Sequence, residues 1–180
     1  MKNLSIFGFL FFLISCITYE LSAQIVAQPV KWRSKIVTFE KDIHEIQIVG
    51  TIDEDCSEYH IYDLGPYKDG LTSTSLTIDT IAGVMLFGKP YLLSKATKTF
   101  DEILGMEIGI CEDSIVVAQK VKVTSVDSVE FVAIIKWQAC DSHSCLQPTW
   151  KEFVIKLPGN RNSESKSTNP DVPKQTPFIK

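Results

Sequence analysis

Apolar and polar side chains alternate along several short segments of the chain, most regularly in VEFVAIIKWQ at residues 129–138. Every second side chain from Val129 to Trp137 is apolar, and charged residues such as Glu130 and Lys136 occupy positions between them. A period of two with many β-branched residues is typical of a strand with one buried face. Comparable segments occur at residues 32–39, 45–52, 59–62, 71–78, 83–87, 115–123 and 151–157. No convincing amphipathic helix follows residue 24, so the pattern predicts an all-β fold, an antiparallel sandwich of seven or eight strands.

The first 23 residues have the composition of a signal peptide. Lys2 precedes an apolar run at residues 4–14, and the small residue Ala23 is suited to cleavage before Gln24. Two alternatives stay open: LISC at residues 13–16 resembles a lipobox that would place a lipid on Cys16, and the run could remain as an uncleaved anchor. All three place the folded part outside the cytoplasm, either periplasmic or secreted.

The composition changes again after Leu157. Residues 159–180 are rich in Pro, Ser, Asn and Lys, which predicts a disordered tail and leaves one β-sandwich domain at residues 24–158. The net charge of −4 and the scattered lysines argue against a nucleic-acid partner. The chain also has no motif for a hydrolytic triad, a phosphate-binding loop or a nucleotide.

The segment CDSHSC places Cys140 and Cys145 close together between two predicted strands. Removal of the leader leaves four of the five cysteines, in a compartment where disulfides persist, with three connectivities available. A disulfide in a six-residue loop would stabilise the fold by only about 2 kcal/mol, against about 4 kcal/mol for a loop of some 56 residues. The small gain favours a redox-active pair over a purely structural bond.

A metal site is the third interpretation of the same segment. Cys140, His143 and Cys145 could supply three ligands, and zinc would need a fourth from His60 or Cys111. The spacing matches no common zinc finger, so we predict neither a metal nor any other cofactor.

Four stretches of the chain carry a resemblance to a known family. They are PVKW at residues 29–32, YHIY at 59–62, FDEILGMEI at 100–108 and CDSHSCLQPT at 140–149. Residues 29–157 resemble the N-terminal periplasmic domain of the thiol:disulfide interchange protein DsbD family, in its Bacteroidetes-like form. The resemblance implies an immunoglobulin-like sandwich that relays electrons from a membrane electron transporter. The recipients it implies are periplasmic disulfide isomerases and the thioredoxin-like proteins of cytochrome c biogenesis.

The resemblance also assigns roles to residues. Cys140 and Cys145 would be the catalytic pair, cycling between dithiol and disulfide, with Cys145 as the less hindered sulfur. A cap loop would shield them until a partner binds, with Ile103 where an aromatic lid residue can occur. The expected cap loop comprises Asp101, Glu102, Ile103, Leu104 and Gly105.

Other residues are expected around the pair. His60 and Tyr62, on one strand face, would lie near the sulfurs, and protonated His143 could lower the pKa of a neighbouring thiol. Cys56 and Cys111 are outside the family pattern. They could form a second disulfide, or remain as buried free thiols.

The sequence therefore predicts an extracytoplasmic thiol–disulfide exchange domain, and leaves open whether it is an enzyme, with a protein-disulfide reductase component as the candidate. The family's membrane and thioredoxin domains do not occur in these residues, so a separate membrane protein or another donor is expected to supply electrons. The alternative is a non-catalytic β-sandwich module that binds a protein and carries a structural disulfide.

Overall fold

The computed structural model of the chain describes residues 28–67, 71–79, 81–102 and 105–160. The predicted signal peptide, Cys16 and all but the first two residues of the predicted tail lie outside these residues. Eleven strands occur in the described part, and no helix there is long and apolar enough to cross a membrane. The strands are β1 Val30–Thr38, β2 Ile43–Ile52, β3 His60–Tyr62, β4 Ser75–Ile78, β5 Val84–Leu92, β6 Thr97–Asp101, β7 Met106–Cys111, β8 Ser114–Val123, β9 Val129–Trp137, β10 Ala139–Cys140 and β11 Thr149–Leu157.

Two sheets form the body of the molecule. One has the strand order β1-β2-β8-β5, the other has the order β11-β9-β4, and neighbouring strands are antiparallel. Ile48 and Val117 of the first sheet are fully buried in the same apolar cluster as Phe131 and Ile135 of the second. The predicted all-β, immunoglobulin-like antiparallel sandwich is confirmed.

A third sheet, with the order β10-β3-β7-β6, joins the body at one end. Side chains of residues directly opposite each other in an antiparallel sheet project from the same face. Ala139, Ile61 and Cys111 are opposite one another in register, and all three belong to the main core. Cys140, which pairs with His60, therefore lies on the other face of this sheet.

Strand prediction succeeded where a strand has one buried and one solvated face. β9 was predicted to the residue, whereas the predicted segment 71–78 contains a strand only at its end, Ser75–Ile78. β6 and β7 were not predicted as strands at all. Most of β6 is exposed on both faces, so its sequence carries no alternation of apolar and polar residues.

Candidate functional site

Cys140 and Cys145 form a disulfide, with their Cα atoms 4.0 Å apart. Cys140 is only 1% exposed, whereas Cys145 is exposed. Any attacking thiol must reach a sulfur from solvent, so Cys145 is the accessible end of the bond. While the bond is formed, neither sulfur is a thiolate that could bind a metal, and this state does not provide the ligands of the zinc alternative.

The turn between the two cysteines is held by hydrogen bonds of its own. Asp141 Oδ1 accepts from the backbone N–H groups of His143 at 2.7 Å and Ser144 at 2.6 Å, which lowers the pKa of this carboxyl. The N–H of Leu146 donates to the carbonyl of Ala139 at 2.9 Å. Because none of these bonds involves sulfur, the turn can keep the two cysteines close together after reduction.

The buried sulfur lies in a small apolar cluster separate from the main core. Cys140 packs with Tyr62 and Ile108, and Met106 and Ile110 contact the same cluster. Ile108, Met106 and Ile110 share one face of β7, because alternate residues of a strand point to the same side. Tyr62 is opposite Ile110 and therefore lies on that face as well. The cluster therefore contributes to the burial of Cys140, which is 1% exposed.

His60 and Tyr62 both lie close to Cys140 in the third sheet. His60 is opposite Cys140 in the β3–β10 register, and its ring meets the Tyr62 ring edge-on, with centroids 5.2 Å apart. Burial lowers the pKa of His60, although the nearby carboxylates of Glu112 and Asp141 oppose this shift. The imidazole is therefore mainly neutral at pH 7 and can donate one hydrogen bond and accept another.

The predicted cap loop is the tip of a β-hairpin. Asp101, the last residue of β6, is opposite Met106, the first residue of β7. Gly105 has a φ of 63° and donates its N–H to the carbonyl of Asp101 at 2.8 Å, a backbone conformation that favours glycine. Met106 packs against the Cys140 cluster, so the strand end that adjoins the cap loop borders this cluster. Glu102 is exposed, and the expected lid residues Ile103 and Leu104 lie outside the described residues.

His143 occupies the turn between the cysteines and is exposed to solvent. Its Nδ1 lies 2.8 Å from the hydroxyl of Ser142. The effect of His143 on a neighbouring thiol stays a prediction.

The candidate second disulfide is wrong for this structure, because Cys56 and Cys111 are both free thiols. Cys111 is 2% exposed and faces the main core opposite Ile61, whereas Cys56 lies upstream in a 3-10 turn at Glu54–Cys56. Burial raises the pKa of both thiols, and the charge of Glu58 raises that of Cys56 further. Neither is therefore an activated nucleophile at neutral pH.

A polar network beside the site was missed by sequence reasoning. Asp63 is 7% exposed, and its Oδ2 accepts from Lys98 Nζ at 2.7 Å while its Oδ1 accepts from the Tyr67 hydroxyl and from the Gly65 N–H at 2.9 Å. Burial alone would raise the pKa of Asp63, but these hydrogen bonds outweigh it and lower the pKa. The Gly109 N–H donates to the Tyr67 hydroxyl at 2.7 Å, so the network ties the loop after β3 to the hairpin of β6 and β7. The local Asp-x-Gly turn was visible in the sequence, but its contact with Lys98 was not.

Comparisons with known proteins gave structural similarities only. No protein-family model matches the chain, and no curated protein matches it. The fold is similar to the crystal structure of the Neisseria meningitidis DsbD N-terminal domain in the reduced form, with a TM-score of 0.47 and 17% identity over 71% of this chain and 86% of that chain. It is also similar to the complex between the DsbD N-terminal and PilB N-terminal domains from Neisseria meningitidis, with a TM-score of 0.48 and 14% identity over 73% of this chain and 88% of that chain.

Proposed function

We propose that the chain is a thiol–disulfide exchange domain that works outside the cytoplasm, with Cys140 and Cys145 as its redox-active pair. The observation that supports this most is the asymmetry of the bond, which joins an exposed Cys145 to a Cys140 that is 1% exposed. A bond that only staples the chain gains little from so short a loop. A bond that is opened by a visiting thiol requires one accessible sulfur and one protected sulfur.

The oxidised domain accepts electrons in two steps. The thiolate of a reduced partner attacks Cys145 Sγ, the S–S bond breaks, and Cys140 leaves as a thiolate that takes up a proton. The second thiol of the partner, as its thiolate, then attacks the partner's sulfur in the mixed disulfide and releases the Cys145 thiolate, which takes up the second proton. Two electrons and two protons thus pass from a partner dithiol to the domain, and the reverse sequence delivers them to an oxidised partner.

Residues around Cys140 control what happens to its sulfur in this scheme. A thiolate released in an apolar cluster is unfavourable unless it is hydrogen-bonded or protonated. His60, opposite Cys140, and Tyr62, packed against it, carry the polar groups that this step needs. β7 contributes Ile108 to the cluster, and by the resemblance the loop between β6 and β7 would serve as the cap that a partner displaces.

The proposed partners are inferred from the resemblance to the DsbD family and from the predicted signal peptide. We propose that a separate membrane electron transporter reduces the domain, and that periplasmic thioredoxin-like proteins or disulfide isomerases oxidise it. The location is checked by the mass of the mature protein. A chain starting at Gln24 supports a periplasmic or secreted protein, a lipid on Cys16 indicates a lipoprotein, and an intact leader on a cytoplasmic chain contradicts both.

Single serine variants test the exchange. Cys140→Ser leaves Cys145 without its resolving thiol. We therefore expect Cys145 to form a stable mixed disulfide, seen on a non-reducing gel, with a thioredoxin-like protein that keeps one active-site cysteine, activated as its nitrothiobenzoate disulfide, because nitrothiobenzoate leaves and no second thiol can reverse the bond. Cys145→Ser should trap far less, because the remaining Cys140 is buried. Cys56→Ser, which removes a free thiol outside the site, serves as the control and should behave like the native protein.

The same experiment separates the binding-module alternative. If neither variant traps a partner and the native bond resists reduced thioredoxin, the disulfide is structural and the exchange proposal is wrong. Equal trapping by both variants would contradict the assignment of Cys145 as the accessible sulfur.

A further inference from the structure

A groove of about 740 Å³ opens beside Cys145, between the first residues of β1 and of β11. β1 and β11 are end strands of their sheets within the described part of the chain, so the groove runs along the open side of the sandwich. All three tryptophans of the chain contribute to it, and we call it the tryptophan groove. Its lining includes Trp32, Trp137, Trp150, Leu146, Pro148 and Cys145.

The floor and the wall of the tryptophan groove differ in exposure. Trp32 and Trp137 are 6% and 8% exposed, and their rings pack at a tilt of 51° with centroids 4.9 Å apart. Trp150, by contrast, is 64% exposed. A large aromatic side chain left in solvent next to a reactive bond is the kind of group that anchors a protein partner.

The indole of Trp32 has an unsatisfied donor. Its Nε1 is buried and has no hydrogen-bond partner among the residues that the structure describes. A Cβ built on Gly50 would lie 2.7 Å from Trp32 Cζ3, so the six-membered ring faces β2 and the N–H lies on the other edge of the indole. A buried donor without a partner is unfavourable, but this N–H is shielded from solvent, and the choice of occupant for the groove does not depend on it.

The charges in the groove are few. Among the described residues of the lining, Lys151 is the charged one, and its Nζ donates to the Trp32 carbonyl at 3.3 Å. The carboxylates of Glu112 and Asp141, which act on His60, are not among the residues described as lining the groove. The groove therefore favours a neutral, apolar occupant.

We propose that the tryptophan groove binds the apolar segment next to the reactive cysteine of the thiol partner, with the exposed Trp150 as its main contact. The inference rests on the proposed function, because Cys145 itself lines the groove. A partner sulfur that reaches Cys145 brings its neighbouring residues along the groove on one side. The domain thus selects partners by an apolar residue close to their cysteine.

Short peptides test this selection. The probes are acetylated and amidated peptides with one cysteine and a leucine two residues before or after it, together with matched peptides that carry serine there. Mass spectrometry measures how fast each peptide forms a mixed disulfide with the oxidised domain, and glutathione gives the rate without docking. We expect one leucine peptide to react roughly tenfold faster than its serine match, equivalent to a single well-filled contact.

Trp150→Ala should abolish the leucine advantage and leave the glutathione rate unchanged, because Trp150 contacts the peptide and not the sulfurs. Val154→Ala is the matched control, since Val154 lies on the same strand, is 59% exposed and is not part of the lining described for the groove. A leucine advantage that survives Trp150→Ala overturns the proposal. An equal slowing of peptides and glutathione overturns it as well.

Failure of the exchange is distinguishable from failure of the groove. If glutathione and every peptide leave the disulfide intact, the proposed function is wrong. The leucine peptide with serine in place of cysteine then tests the groove alone by calorimetry. Binding that is lost in Trp150→Ala retains the groove as a peptide site, and no binding to the native domain overturns it.

Discussion

His44 is the most buried of the three histidines of the chain, with 1% exposure. Its Nδ1 lies 3.0 Å from the Thr38 hydroxyl, and its Nε2 is buried with no hydrogen-bond partner among the described residues. Burial lowers the pKa of His44, although the charge of Asp42 opposes the shift. Protonation would place a poorly compensated charge inside the protein, so the native state favours the neutral ring.

The stability of the domain should therefore fall as the pH is lowered from 7 to 5. The folded pKa of His44 lies below its unfolded value near 6.5. Its contribution is complete above that unfolded value and is lost as the pH falls toward the folded pKa, because the unfolded chain binds the proton more tightly. His60 contributes in the same direction. Urea unfolding across this range checks the effect.

Two variants identify the source of that pH dependence. His44→Gln should flatten the loss of stability between pH 7 and pH 5, whereas His143→Gln should not, since His143 is exposed. A loss that persists unchanged in His44→Gln would assign the effect to other groups.

Residue-level prediction was reliable for neighbours along the chain and unreliable for partners across it. The proximity of Cys140 to Cys145 is visible in the sequence. So is the shared face of His60 and Tyr62, because they are two apart on a strand. Cys111 faces the core and does not pair with Cys56. This placement depends on the register of β3 against β7, which no local sequence pattern specifies.

At the scale of elements, predictability followed the contrast between the two faces of a strand. β8 and β9 lie across the centre of their sheets and have strongly buried faces, so their alternation is clear. β6 lies at the edge of the third sheet with both faces solvated. Its segment was not predicted as a strand, and Asp101, the first residue of the expected cap loop, is the last residue of this paired strand.

The third sheet explains how a short chain segment becomes a site. Its one face completes the main core with Ile61 and Cys111, and its other face holds Cys140 with Tyr62 and Ile108. The candidate redox pair is thus fixed to the sandwich through β3, while the turn after Cys140 remains exposed. Cys140 is buried and Cys145 is exposed because of how the third sheet packs on the sandwich. The spacing of the two cysteines in the sequence does not by itself produce this difference.

A relay must be folded in both of its redox states, and the arrangement around the disulfide predicts that this domain is. Opening a six-residue loop removes only about 2 kcal/mol of stabilisation. The hydrogen bonds of Asp141 and the packing of Cys140 against Tyr62 do not depend on the S–S bond. Reduction should therefore lower Tm by less than about 10 °C and leave the unfolding transition cooperative.

Thermal unfolding followed by circular dichroism, with and without a phosphine reductant, measures this difference. The matched control is the Cys140→Ala, Cys145→Ala double variant, whose Tm should lie within a few degrees of the reduced protein and should not respond to reductant. A reduced protein that loses its near-ultraviolet signal or its cooperative transition would show that the bond holds the fold together. A domain of that kind could not alternate between dithiol and disulfide. Its disulfide would be structural and would not exchange electrons with a partner protein.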